Sequence, residues 1–356
     1  MNTLKLLMFL ILIVVLATCS SNKTGLRNPA NTQFDAQITE SDSKKWKFVV
    51  VSDIHVSGPT NKRKVAGFIK AIVDQALAEK VEFVIVTGDL FRANKGKRNS
   101  AKTVNSWKSI VDQAFRKLIE EKVPVIFIPG NHDIPHTEHR AGLEATWKGF
   151  QETAKQLNVR GKPPYYYWFE HKEANFCFLS LTDTGTFKYD REKLEVCLGS
   201  ENPGKKQSFA FGHVPIFSAV MGKMKARYAK ILDTFSRQHL NAYFCGHEHL
   251  YWEWQADVPS DVKQFMVNSA MGDLPGQRES AYVFPIAKKL FNANCDSNGE
   301  CVMPVSKKRF LVNPKTREQN ISQGFLMVEV DNINNSYVVQ PKTFDENGIM
   351  RDFFIE

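Results

Sequence analysis

The chain is short of cysteine, with six in 356 residues and none at zinc-finger spacing, so a structural zinc module is excluded. It has no internal repeat and no interdomain linker, which excludes a solenoid or propeller. Lys+Arg outnumber Asp+Glu by 47 to 38, yet the net +9 is spread along the chain and no run of one sign resembles a nucleic-acid-binding tail. Long apolar runs are also scarce. The one at the N-terminus, residues 6–16, falls short of the roughly 20 residues that a spanning helix needs. What is present is globular composition, 43% hydrophobic and 24% charged, with ample material for a core. The positive balance favours anionic partners such as phosphate esters, nucleic acid or acidic lipid headgroups, or else belongs to a generally basic surface.

Residues 1–18 combine Lys5, the apolar run and small residues in the outline of a secretory signal. Leu16-Ala17-Thr18-Cys19 resembles a bacterial lipoprotein box, with Thr18 departing from the usual Gly, Ala or Ser. The expectation is an exported protein of the bacterial cell envelope, lipidated at Cys19 and held to the membrane by that anchor. Ordinary cleavage and an uncleaved anchor compete with it. Residues 19–43 are polar, carry no hydrophobic periodicity and read as a flexible tether. Five cysteines remain, so at least one is unpaired, and Cys295 and Cys301 in "CDSNGEC" are placed for a short-loop disulfide in an oxidising compartment.

Residues 44–356 read as a single domain. "WKFVVVSD", "VEFVIVTGD" and "VPVIFIPGNHD" are apolar strands ending in polar residues, separated by helical spacings at Val65, Phe68, Ile72 and Ala76 and at Val104, Trp107, Val111, Phe115 and Leu118. That alternation calls for an α/β fold with parallel pairing. Residues 134–164 look irregular, "YYYWFEHKEANFCFLSLTDTG" like two strands joined by a turn, and the end of the chain like a set of antiparallel strands. Residues 276–322, weakly periodic, read as an insertion.

Each apolar strand ends in a metal-capable side chain: Asp53 and His55, Asp89, Asn131 and His132, His213, then His247 and His249. Ligand sites of open α/β sheets lie beyond the carboxyl ends of the strands, so these residues are expected to converge. Gly88, Gly130, Gly212 and Gly246 precede four of the polar positions and permit tight turns there. Two Asp, one Asn and four His exceed the needs of one ion and suit two, with one carboxylate bridging. Imidazole and carboxylate donors without thiolate suit manganese, iron or zinc.

The ordered set Asp53-x-His55, Gly88-Asp89, Gly130-Asn131-His132-Asp133, Gly212-His213 and Gly246-His247-x-His249 resembles the calcineurin-like metallophosphoesterase superfamily. The resemblance implies a four-layer αββα sandwich, two mixed β-sheets flanked by helices. It implies that Asp53, His55 and His249 hold one divalent or trivalent ion, that Asn131, His213 and His247 hold the other, and that Asp89 bridges. His132 would contact phosphate and act as general acid, with Asp133 orienting it by a hydrogen bond. The implied reaction is hydrolysis of a small-molecule phosphate mono- or diester by a metal-activated hydroxide.

Two departures narrow the expectation. Purple acid phosphatases carry an iron-binding Tyr where this chain has Arg92, and the Gly-Asp-x-x-Asp-Arg-Gly pattern of protein Ser/Thr phosphatases is missing. Arg92 and Tyr251 are candidate substrate contacts, weighed against a structural Arg and against packing of the "YWEW" aromatics. The alternatives are a non-catalytic metal-binding scaffold that keeps the fold, or a nuclease-type phosphodiesterase. No specific nucleic acid is expected, because the chain has no long basic segment.

Overall fold

Val, Ile and Phe in unbroken runs favour strands covered on both faces, and in the computed structural model these runs form the centre of two sheets. The structure describes residues 45–57, 59–93, 98–182, 189–199, 207–218, 223–224, 228–249, 251–255, 262–267, 309–310, 324–344 and 350–352. All fall in one compact unit, residues 40–356. The signal segment, Cys19, the tether, Cys295, Cys301 and the 276–322 segment other than residues 309–310 lie outside the described residues. No helix among the described residues is long and apolar enough to cross a membrane.

The first half of the chain gives β1 (Lys45–Val51), α1 (Pro59–Ala78), β2 (Val84–Val86), α2 (Ala101–Glu120), β3 (Val125–Phe127) and α3 (Thr137–Ala154). Strands β4 (Arg160–Lys162), β5 (Tyr166–His171) and β6 (Ala174–Leu179), helix α4 (Arg191–Cys197), β7 (Gln207–Phe211), β8 (Phe217–Ser218) and β9 (Lys223–Met224) follow. The remainder is α5 (Ala229–Arg237), β10 (Ala242–Cys245), β11 (Trp252–Gln255), β12 (Lys263–Met266), β13 (Arg309–Phe310), β14 (Gly324–Asp331), β15 (Ser336–Phe344) and β16 (Met350–Asp352). One sheet runs β16-β15-β14-β1-β2-β3 and the other β13-β11-β12-β10-β7-β6-β5-β4, with β8-β9 a separate ribbon. Both are mixed: β1, β2 and β3 pair in parallel while β14 joins β1 antiparallel, and β6, β7, β10 and β12 are parallel with antiparallel strands outside them.

Alternation along the strands divides the interior into two cores. Phe176, Phe178, Phe209, Phe211 and Phe244 project from the second sheet onto Phe48 and its neighbours. Phe178 and Phe211 stack at 4.8 Å, Phe211 and Phe244 at 5.3 Å, and Phe48 meets the edge of Phe176 at 5.5 Å. The intervening residues Cys177, Ala210, Tyr243 and Cys245 face the other way, against Leu194 of α4 and Ile231 and Phe235 of α5. Helices α1 and α2 contribute Val65, Ile69, Ile72, Val104, Val111, Phe115 and Leu118 to the larger core. The outcome is the α/β sandwich of helices on two mixed sheets.

The segment read as irregular contains helix α3. Its apolar positions Leu143, Trp147, Phe150 and Ala154 follow helical spacing and are buried, but two glycines within it weaken the pattern. Gly142 is there for contact: a Cβ at that position would lie 2.2 Å from Val104 Cγ1 of α2. The two expected strands from residue 165 are the β5–β6 hairpin, whose turn residues Lys172 and Glu173 have φ of 45° and 67°, as a type I′ turn requires.

Cys177 on β6 and Cys197 at the end of α4 form a disulfide, sequence separation 20, and Cys245 is a buried free thiol. Closing a loop of that length stabilises the fold by about 3 kcal/mol through the unfolded chain's entropy. The Cys177→Ala/Cys197→Ala protein is expected to unfold at correspondingly lower urea. A midpoint equal to the parent's would show that packing and the Asn175 Nδ2 to Cys197 carbonyl bond (2.7 Å) suffice to hold α4.

Candidate metal centre

The strands of both sheets deliver their polar ends to one place. From the first sheet come Asp53 and His55 after β1, Asp89 after β2, and Asn131 and His132 after β3; from the second come His213 after β7 and His247 and His249 after β10. Three overlapping groups of potential ligand atoms form there: Asp53, His55 and His249; His55, Asp89 and His132; and Asp53, Asp89 and His213. Five of these site residues, Asp53, His55, Asp89, His247 and His249, hold left-handed φ values of 51° to 76°. For residues with a Cβ that conformation costs on the order of 1 kcal/mol or more each.

Contact excludes a side chain at all four strand-end glycines. A Cβ on Gly246 would sit 1.8 Å from Ser52 Oγ and 2.3 Å from Asp53 Oδ2. Gly88, at φ 100°, would bring one to 2.7 Å from His213 Nδ1. The loops are then laced by main-chain bonds, Asp53 N to Gly88 O (3.1 Å), His55 N to Asp89 O (2.8 Å) and Gly246 N to His213 O (2.9 Å).

Each buried carboxylate divides its oxygens. Asp53 Oδ2 accepts the His247 amide (3.0 Å), and Asp89 Oδ1 accepts the His132 amide (2.8 Å). Asp53 Oδ1 lies 3.2 Å from His249 Nε2 and 3.5 Å from His55 Nε2, while those two nitrogens are 3.0 Å apart. Asp89 Oδ2 lies 3.2 Å from His213 Nε2 and 3.7 Å from His55 Nε2, so it touches both ligand groups as a bridging carboxylate would. Asn131 Oδ1 is 3.0 Å from His213 Nε2, and the His247 ring meets the His213 ring edge-on at 5.1 Å. His213 Nδ1–H donates to the Thr87 carbonyl at 2.8 Å, which turns Nε2 towards the centre. Two imidazole nitrogens and a carboxylate oxygen converging this closely fit a cation among them, and the donor set contains no thiolate.

The electrostatics agree with that fit. Burial opposes ionisation of Asp53 and Asp89, but His249 and His213 respectively outweigh it and hold both carboxyls below their ordinary range. Burial lowers His55. At His213 burial also disfavours the charge, yet the Asp89 carboxylate prevails and pushes the imidazole up to about 10.

His132 and Asp133 are arranged differently from expectation. The His132 ring joins Asp89 and His55 in one of the ligand groups, but its Nδ1 partner is the Ala93 carbonyl. Asp133 accepts main-chain N–H bonds from Phe91 and Gly130, each at 2.8 Å, and does not bond the His132 ring as expected. Burial first, then the Asp89 charge, push the Asp133 carboxyl up to about 7. It shapes the turn at residues 130–133 and ties it to residues 91–93, steering His132 only through that loop. Arg92 is exposed. Tyr251 is 2% exposed within the inter-sheet core, a packing residue, while Trp252 enters the other core as strand alternation requires.

Sequence reasoning missed several supports. Thr87 and Ala93 act through carbonyls, which no side chain announces. Gln264 of β12 accepts the amides of Ile216 and Phe217 at 2.8 and 3.1 Å, and Tyr243 Oη donates to Val214 O at 2.7 Å, clamping the loop that follows His213.

The profile of the calcineurin-like phosphoesterase family matches residues 47–251. The chain belongs to that family. No curated protein matches it. Among solved structures, GAP50, the anchor in the inner membrane complex of Plasmodium, aligns at 15% identity and TM-score 0.52 over 88% of this chain and 89% of its own. A purple acid phosphatase from yellow lupin (Lupinus luteus) seeds aligns at 13% identity and TM-score 0.53, over 87% of this chain. The matched region is 53% of the lupin protein's length. A dimetal phosphatase from Danio rerio aligns at 14% identity and TM-score 0.47, over 65% and 89%. For the Plasmodium and lupin proteins, at such identities, the likeness is one of fold. The family and the candidate ligand groups support a binuclear metal site.

Two tests follow from this geometry. In metal-free protein the raised His213 pKa stabilises the fold fully below its ordinary value of 6.5, and that contribution is lost as pH climbs towards 10. Thermal stability of the metal-free protein should therefore fall across that window. A flat profile would refute a proton held on His213. Gly246→Ala, which drives a methyl into Ser52 and Asp53, should weaken metal binding by about tenfold or more, read as metal retained through gel filtration.

Proposed function

We propose that this chain is an exported two-metal hydrolase of phosphate mono- or diesters, with His132 as general acid and phosphate contact. The observation that carries the reading is Asp89, whose Oδ2 lies between His213 and His55 and so joins two ligand groups 3.2 and 3.7 Å away. Asp53, His55 and His249 would hold one ion and Asn131, His213 and His247 the other, with manganese, iron or zinc all suited to the donors. Bound there, two cations would supply the Lewis acidity that phosphoryl transfer to water needs.

The chain's own residues do the rest. Asp89 Oδ1 is anchored by the His132 amide, so the bridging position and the catalytic imidazole move as one unit. With Nδ1–H committed to the Ala93 carbonyl, His132 keeps Nε2 as the atom that carries a proton to the departing ester oxygen. Export is supported by the signal-like residues 1–18 and by the Cys177–Cys197 disulfide, since such bonds persist in oxidising compartments. Cys19 would supply the lipid anchor.

The test compares 4-nitrophenyl phosphate with bis(4-nitrophenyl) phosphate, using the full chain loaded with manganese and the His132→Ala and Asp89→Asn variants. His132→Ala should cut kcat by about 100-fold or more, and Asp89→Asn should lose metal as well as turnover. The preferred ester divides phosphatase from phosphodiesterase. Silence on both esters with two metals bound would favour the non-catalytic scaffold.

A further inference from the structure

The turn that carries His132 leads into a second feature. Arg98, Pro135, His136, Thr137, Glu138 and Arg140 enclose an open cleft of about 260 Å³. Arg98 lines one side of it, and residues 135–140, which follow Asp133 in the chain, line the other. His136 is four positions along the chain from His132, so the cleft starts within roughly 14 Å of the His132 backbone.

Its charge is lopsided: two guanidinium groups and an imidazole face one carboxylate. Arg98 pairs with Glu138, but its side chain is 72% exposed, and an ion pair in that setting exchanges readily for a stronger partner. Arg140 uses Nε on the Ile134 carbonyl at 3.1 Å; its Nη groups make no hydrogen bond among the described residues. His136 Nε2 is a buried atom with no hydrogen-bond partner there either. Cationic groups from two segments, with donors left over and a hollow between them, suit an oxyanion, which guanidinium recognises through paired N–H bonds.

We propose that this cleft holds a second anionic group of the substrate, a phosphate or carboxylate, while the ester to be cleaved lies at the metal centre. The proposal rests on the phosphoesterase reading and narrows it to substrates carrying two separated anionic groups. Arg98 exchanges Glu138 for the incoming oxyanion, Arg140 contributes its Nη donors, and His136 Nε2 gains the partner it lacks. A monoanionic ester would leave these groups unused, so the cleft acts on selectivity.

The experiment pairs hexyl phosphate with 1,6-hexanediol bisphosphate, which differ only in the second phosphate. The full chain loaded with manganese should favour the bisphosphate in kcat/KM by about tenfold, the worth of one charge-assisted hydrogen bond. Arg98→Ala should reduce that ratio severalfold, and Arg98→Lys should restore part of it. Equal kcat/KM for the two esters, or a ratio that survives Arg98→Ala, overturns the proposal. If neither ester is hydrolysed while bis(4-nitrophenyl) phosphate is, the chain is a diesterase; if that diester is untouched too, the phosphoesterase reading fails. In either case calorimetric titration of the bisphosphate into metal-free protein judges the cleft alone. Weaker binding by Arg98→Ala than by the parent upholds the anion site; equal affinity refutes it.

Discussion

Two carboxylates sealed from water where the sheets meet set the terms for the rest of the molecule. Asp53 is 0% exposed and Asp89 1%, and an uncompensated buried charge costs several kcal/mol. Neither is left to itself. Each gives one oxygen to an amide from another loop and turns the other towards imidazoles. The left-handed backbone at five site residues is the local cost of that arrangement. It persists because main-chain bonds and packed strands on both sides determine it.

The scaffold that holds this arrangement is a phenylalanine-rich seam. Period-two alternation places Phe176, Phe178, Phe209 and Phe211 between the sheets and leaves Cys177, Ala210 and Tyr243 for the outer helices. A one-residue slip in β6 or β7 would exchange the two faces, so the register that builds the seam also sets where His213 emerges. Tyr243 and Gln264 extend that control past the strand ends. The cleft proposed to hold a second anion lies further along the chain from His132, at the first turn of α3.

Much of this could be read from the chain. Polar residues ending apolar runs, with glycine before them, located the centre because the chemistry sits in side chains at strand ends. The α1 and α2 helices were legible from their spacing, and α2 is capped by Ser100, whose Oγ accepts the Thr103 amide. What escaped reading acts through other means. Ala93 and Thr87 contribute carbonyls, identical in every residue. Cys177 and Cys197 lie in apolar surroundings where a thiol passes for a small hydrophobe. Helix α3 was hidden by a glycine that exists only because α2 comes so near. Asp133 was assigned by resemblance to the His132 ring, whereas its oxygens cap amides that no sequence pattern displays.

The spread of the ligands along the chain has a temporal consequence. Asp53 leaves the ribosome long before His249, and β1, which carries Asp53, finds its antiparallel neighbour only in β14, residues 324–331. Such long-range pairing is slow, because loop closure precedes any reward. A growing chain therefore has donors but no centre, and the ions can be chosen only once nearly the whole domain is available. Among metals of similar affinity, the deciding influence is then which ions are abundant where folding finishes.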